Sequence, residues 1–134
     1  MSAIETTPEA TAGSGTWFEK FYARVDALDL TVAEDLQTED TSMTMGNHPP
    51  AVGREDVRAG MERFFGTIKG MHHVISKVIE DGDSATVEGI CQYTRLDGSR
   101  VDIPVLTALE RRGDRIAAQR VYIDLAPLFD PAAH

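Results

Sequence analysis

The chain has 134 residues, with 13 Lys plus Arg against 22 Asp plus Glu, for a net charge of −9. At this length roughly two thirds of the unfolded surface can be buried, so one core is expected. No stretch concentrates enough basic residues to follow a phosphate backbone or an anionic bilayer, which excludes nucleic acid and membrane as partners. No run reaches the ~20 apolar residues of a membrane span, and the single Cys91 forbids an internal disulfide, so a soluble, cytoplasmic protein is expected.

Residues 1–15, rich in Thr, Ala, Gly, Ser and Glu, have no basic start and no apolar run of signal-peptide length, and read as a disordered leader. Thr16 can cap a helix in which Trp17, Phe21, Val25 and Leu28 recur at spacings of four, four and three. A second short helix is expected over 31–36. Thr41 to Met45 then alternates as a half-buried strand does, with Met43 and Met45 pointing inward. Gly46-Asn47-His48-Pro49-Pro50 must be a loop, because neither a helix nor a strand ladder accommodates it.

A third helix carries Val57, Met61, Phe64, Phe65 and Ile68 on one side. Beyond Gly70 the pattern becomes strands, with tight turns at Asp81-Gly82, Asp97-Gly98 and Gly113-Asp114. A four-stranded meander follows. The predicted class is therefore α+β, with three N-terminal helices packed on a curved, mainly antiparallel sheet over residues 16–128 and a flexible tail over 129–134.

Alternation from Ser84 to Arg95 turns Ala85, Val87, Gly89, Cys91 and Tyr93 inward, and Ile103, Val105, Thr107 and Leu109 follow from the next strand. The opposite face is also apolar, at Val74, Val78, Ile90, Leu106 and Tyr122. Such a face suggests a homodimer interface, with scattered surface apolar residues as the competing reading.

Glu39-Asp40-Thr41, Pro49-Pro50-Ala51, Gly53-Arg54 leading into a helix, and the closing Arg120-Val121-Tyr122-Ile123-Asp124-Leu125 resemble limonene-1,2-epoxide hydrolases. The resemblance spans about 17–128 and implies the cone of the NTF2-like superfamily, which also holds ketosteroid isomerases and SnoaL-type polyketide cyclases. Fold alone does not choose among those chemistries. Carried over residue by residue, the family's water-holding Tyr and Asn fall on Met43 and Met45. Its Arg and Asp fall on Gly89 and Cys91, and its second Asp on Val121. Epoxide opening needs one carboxylate to take a proton and another to give one. None of those groups is present, so negligible epoxide hydrolysis is expected. The isomerase's base falls near Met45 and its oxyanion-hole acid near Thr107, which argues against a standard isomerase too.

The resemblance places Tyr22, Val25, Met43, Met45, Phe64, Ile68, His73, Cys91, Tyr93, Val105, Thr107, Val121, Ile123 and Leu128 around a pocket, mostly apolar as small-molecule cavities are. His73, Tyr93 and Thr107 are the candidate catalytic groups. A histidine in an apolar cavity is biased toward its neutral form and could take a proton near pH 7, while a hydroxyl donates to a developing enolate. Only one of His72 and His73 can enter the pocket, and alternation does not decide which; a structural histidine is the competing reading. Cys91 reads as packing more readily than as a nucleophile, since no cationic partner is evident. Tyr22 and Tyr93 either bind a ligand carbonyl or bury their rings with the hydroxyls tied up. His48 is a rim contact or a solvated loop residue, and Asp124 anchors the chain end. No His-x-His or Cys-x-x-Cys spacing supports a metal, and nothing calls for a cofactor.

Two classes of function fit. One is an enzyme that moves a proton on a hydrophobic polyketide, terpenoid or steroid-like molecule in an isomerisation or cyclisation. The other is a non-catalytic domain that binds an apolar ligand or dimerises.

Overall fold

A computed structural model describes residues 16–129. The leader expected over 1–15 and all but the first residue of the expected tail lie outside the described residues.

Helix α1 (Thr16–Asp26) buries Trp17, Phe18, Phe21, Tyr22 and Val25. Thr16 is its first residue rather than the cap before it. The helix stops short of Leu28, whose φ of 57° is left-handed; a γ-branched residue tolerates this poorly, and here its side chain turns into the core. Helix α2 (Val32–Leu36) follows, then strand β1 (Gln37–Met45), which starts four residues earlier than alternation suggests. The cause is a register irregularity between Gln37 and Ser42, which hides the period of two.

The Pro-rich loop leads to a two-residue strand β2 (Ala51–Val52) and helix α3 (Arg54–Phe65), which buries Val57 and Met61. Glu55 and Asp56 in its first turn complement the helix dipole. Ile68 is the first residue of β3 (Ile68–Asp81) rather than the end of the helix. The expected meander is completed by β4 (Ser84–Arg95), β5 (Arg100–Arg112) and β6 (Arg115–Ile123), and a short helix α4 (Ala126–Phe129) closes the described chain.

The six strands form one sheet in the order β2-β1-β6-β5-β4-β3. Every pairing is antiparallel except β1 with β6, where the chain returns from the meander alongside its first strand. As alternation predicts, Ala85, Val87, Cys91 and Tyr93 of β4 and Ile103, Val105, Thr107 and Leu109 of β5 are buried. Val78 corrects the expected outer face. A bulge between Ile75 and Lys77 shifts the register of β3, so Val78 pairs with inward-facing Val87 and packs on the core.

That bulge also explains Gly89. A Cβ at this position would lie 2.2 Å from the Val74 carbonyl oxygen, a clash with backbone that cannot relax cheaply. The position where the resemblance expects an arginine is therefore one where no side chain fits.

The interior consists of two apolar clusters. One gathers α1, α3 and the turn-proximal halves of β3 to β6; the other gathers Ile68, Cys91, Tyr93, Ile103, Val105, Val121 and Leu128. Buried Arg95 ties the second shut by donating to the carbonyls of Pro127 and Leu128 in α4. Asp124, expected to anchor the chain end, makes only a local bond, accepting the Ala126 N–H at 3.0 Å where α4 begins.

Candidate functional site

Between the two clusters lies a cavity of about 50 Å³. Ten of the residues expected around a pocket do line it: Tyr22, Val25, Met43, Met45, Phe64, His73, Tyr93, Val105, Thr107 and Val121. Four do not. Ile68, Cys91 and Leu128 are buried in the packed cluster behind the wall, and Ile123 opens onto a larger cleft at the mouth. Phe21, Met61, Phe65, Met71 and Gln119 line the cavity without having been anticipated. Met61 and Phe65 belong to the apolar side of α3, and Met71 shares the inward face of β3 with His73.

Alternation left His72 and His73 undecided, and the structure separates them. The His73 side chain is 11% exposed and faces in, whereas that of His72 is 67% exposed. What fixes this orientation is Asp26, the last residue of α1. One carboxylate oxygen lies 2.6 Å from His73 Nδ1, and the other accepts the His73 backbone N–H at 2.8 Å. The Tyr22 ring packs against the imidazole at a tilt of 58°, with centroids 4.6 Å apart.

This pairing overturns the expectation of a neutral histidine. Burial pulls the His73 pKa down, but the hydrogen bonds to Asp26 and Cys91 outweigh it and raise the pKa to about 9. The raised pKa favours the imidazolium form of His73 at neutral pH. Cys91 thus has the cationic neighbour that the sequence did not reveal, but it is fully buried and outside the cavity wall, where no ligand reaches its sulfur.

The other polar groups also pair within the wall. The Tyr22 and Thr107 hydroxyls are hydrogen-bonded, and burial pushes the Tyr22 pKa well above its ordinary value. Burial, then the nearby Cys91, does the same for Tyr93, which is hydrogen-bonded to that thiol. Both phenols therefore stay protonated and remain possible donors. Gln119 differs: its amide oxygen is buried and has no hydrogen-bond partner among the described residues. Such an orphan typically costs ~1–3 kcal/mol.

Asp26 escaped the sequence reading, though a signal existed. It stands four residues after Tyr22, on the same helix face, and an acid in the last turn opposes the helix dipole. Among the described residues no three His, Cys, Asp or Glu side chains converge to hold a metal ion. His48 stands on the rim of the outer cleft with Asn47, Asp124 and Phe129.

A curved, mixed six-stranded sheet with helices packed on one face is the NTF2-like α+β fold. Residues 18–119 match the SnoaL-like domain family, and the chain belongs to it. No curated protein matches the sequence significantly.

Among solved structures, one described as a SnoaL-like polyketide cyclase from Jannaschia sp. CCS1 superposes with a TM-score of 0.75 at 15% identity, covering 87% of this chain and 89% of that one. A protein with a ketosteroid isomerase-like fold from Catenulispora acidiphila, in complex with trimethylamine, gives 0.74 at 20% identity, covering 83% and 87%. An LEH-like epoxide hydrolase from M. tuberculosis gives 0.71 at 19% identity, covering 84% of each chain. At these identities the likeness carries fold alone. Among the described residues no helix is long and apolar enough to cross a membrane.

Proposed function

We propose that this chain is an enzyme of the SnoaL and ketosteroid-isomerase-like type, moving a proton on a hydrophobic polyketide, terpenoid or steroid-like ketone in an isomerisation or cyclisation. The observation that carries the reading is His73 in the wall of an apolar cavity, held from behind by Asp26 at 2.6 Å. With Nδ1 bonded to Asp26, proton exchange with a ligand falls to Nε2, and the ring's contact with Cys91 must give way for it. His73 enters protonated and gives that proton to a carbonyl oxygen. Once neutral, it can take one from the adjacent carbon, which leaves an enol and the original imidazolium. Asp26 holds the ring in place and stabilises its charged form.

Epoxide hydrolysis is not proposed, because Met43, Met45, Gly89, Cys91 and Val121 occupy the positions at which the resemblance expects its polar groups. The test is α-proton exchange: a panel of such ketones is incubated in D2O and deuterium uptake is followed by NMR. Uptake with the native chain, lost in His73→Gln, supports the reading.

The second reading is a non-catalytic domain holding an apolar ligand, favoured by the narrowness of the cavity, which lies below the ~300 Å³ of ordinary ligand sites. Ligand binding without exchange in the native chain would select it. Either reading is compatible with a homodimer through the outer face of the sheet.

A further inference from the structure

We propose that Gln119 is the recognition group of the cavity, and that the ligand it selects is a neutral, largely apolar molecule bearing a hydroxyl group, not a hydrocarbon and not a carboxylate. This rests on the reading that the cavity takes a small molecule, and it names the class.

Gln119 lies on β6, in register with Met43 of β1 on one side and Leu109 of β5 on the other. Neither neighbouring side chain can donate a hydrogen bond. Its residue is 8% exposed, it lines the cavity, and its amide oxygen is unpartnered among the described residues. The remaining polar groups are matched: His73 by Asp26, Tyr22 by Thr107, Tyr93 by Cys91. Gln119 is thus where the wall asks for a partner. A hydroxyl suits it, since it can donate to the amide oxygen and accept from the amide nitrogen at one place.

Charge narrows the class. No Lys, Arg, Asp or Glu lines the cavity, and Asp26 already balances the His73 cation. A carboxylate would enter a dry site with no free counter-charge. Strands β4 and β5 lie between His73 on β3 and Gln119 on β6, so a ligand held by its hydroxyl at Gln119 extends its body toward the ion pair. The cavity can widen for it, because Met43, Met45, Met61 and Met71 are unbranched and flexible.

Those methionines also supply the assay. The full chain, labelled with [methyl-13C]methionine, is titrated with phenol, anisole and benzoate while the four cavity methyls are followed by NMR. Phenol is expected to bind about tenfold tighter than anisole or benzoate, as one good hydrogen bond allows. Gln119→Leu should erase that preference and leave anisole affinity within about twofold, the same spectra verifying the fold. Gln119→Met serves if the leucine variant does not fold. Equal affinity for phenol and anisole in the native chain, an undiminished preference in the variant, or no methyl shift with any probe would overturn the inference. A phenol preference in the native chain without α-proton exchange on any ketone of the panel would strike the enzyme reading and not this one.

Discussion

His73 and Asp26 meet twice, once through the ring and once through the backbone N–H, so one carboxylate sets both where the imidazole points and how it is charged. Removing the carboxylate should affect charge more than position. In Asp26→Asn the amide can still accept from the backbone, but it no longer offsets burial, so the His73 pKa should fall from about 9 toward or below its ordinary value of 6.5. Imidazole chemical shifts followed against pH measure this directly. Turnover, where the D2O assay detects it, should drop by ~10²–10⁴-fold in His73→Gln, the range for a lost proton-transfer group. An unaltered rate would dismiss the pair as catalytic machinery.

The same pair makes stability depend on pH, with a definite sign. His73 binds its proton more tightly folded than unfolded, so the folded state gains from protonation below the unfolded pKa near 6.5 and loses that gain as pH rises through about 9. A shift of this size corresponds to about 3 kcal/mol at most. Thermal melts should therefore show a midpoint falling by roughly 10 °C between pH 6.5 and 9.5. His73→Gln should flatten the dependence in that window while lowering the plateau at its acid end. A native profile that is flat there would mean that the histidine is not held charged.

Gly89 carries a prediction about architecture. Since a Cβ there meets the Val74 carbonyl oxygen at 2.2 Å, Gly89→Ala must push β3 away from β4. A cost of ~2–4 kcal/mol is expected from urea unfolding, in the range of backbone strain combined with lost pairing. Gly89→Arg, which would restore the residue type the resemblance expects, should cost more and should not restore epoxide opening.

How far the sequence could be read follows from the range of the forces involved. Elements set by local periodicity and turn chemistry, such as the β4 alternation from Ala85 to Tyr93 and the turns at Gly82, Gly98 and Gly113, were legible because each signal lies within a few residues. The bulge near Ser76 was not, since it is fixed by the partner strand, and it carried Val78 from the outer face to the core. Family resemblance located most of the cavity wall, as Tyr22, Met43 and Thr107 illustrate, but it was blind where this chain uses other residues. Asp26 and His73 are 47 positions apart, and no local pattern joins them. Gln119 looked like an ordinary strand residue until its neighbours Met43 and Leu109 left its amide unpaired.

The outer sheet face gives the last prediction. Val74 pairs with Ile90, Ile90 with Pro104, and Leu106 with Tyr122, which lays one apolar band across β3 to β6. Ile90 is 42% exposed and Tyr122 56%. Residues of this size left in water as a contiguous band usually mark an interface, and the face is self-complementary only if a second copy meets it about a two-fold axis. Light scattering after size exclusion should thus give about twice the chain mass. Leu106→Glu with Tyr122→Glu should yield monomers at micromolar concentration, because each dimer would bring four new carboxylates into a dry contact. The cavity lies on the opposite face of the sheet, so the monomeric variant should keep its Met43 and Met71 methyl signals and its response to phenol. A native chain that elutes and scatters as a monomer across the micromolar range would show that this band is simply tolerated surface.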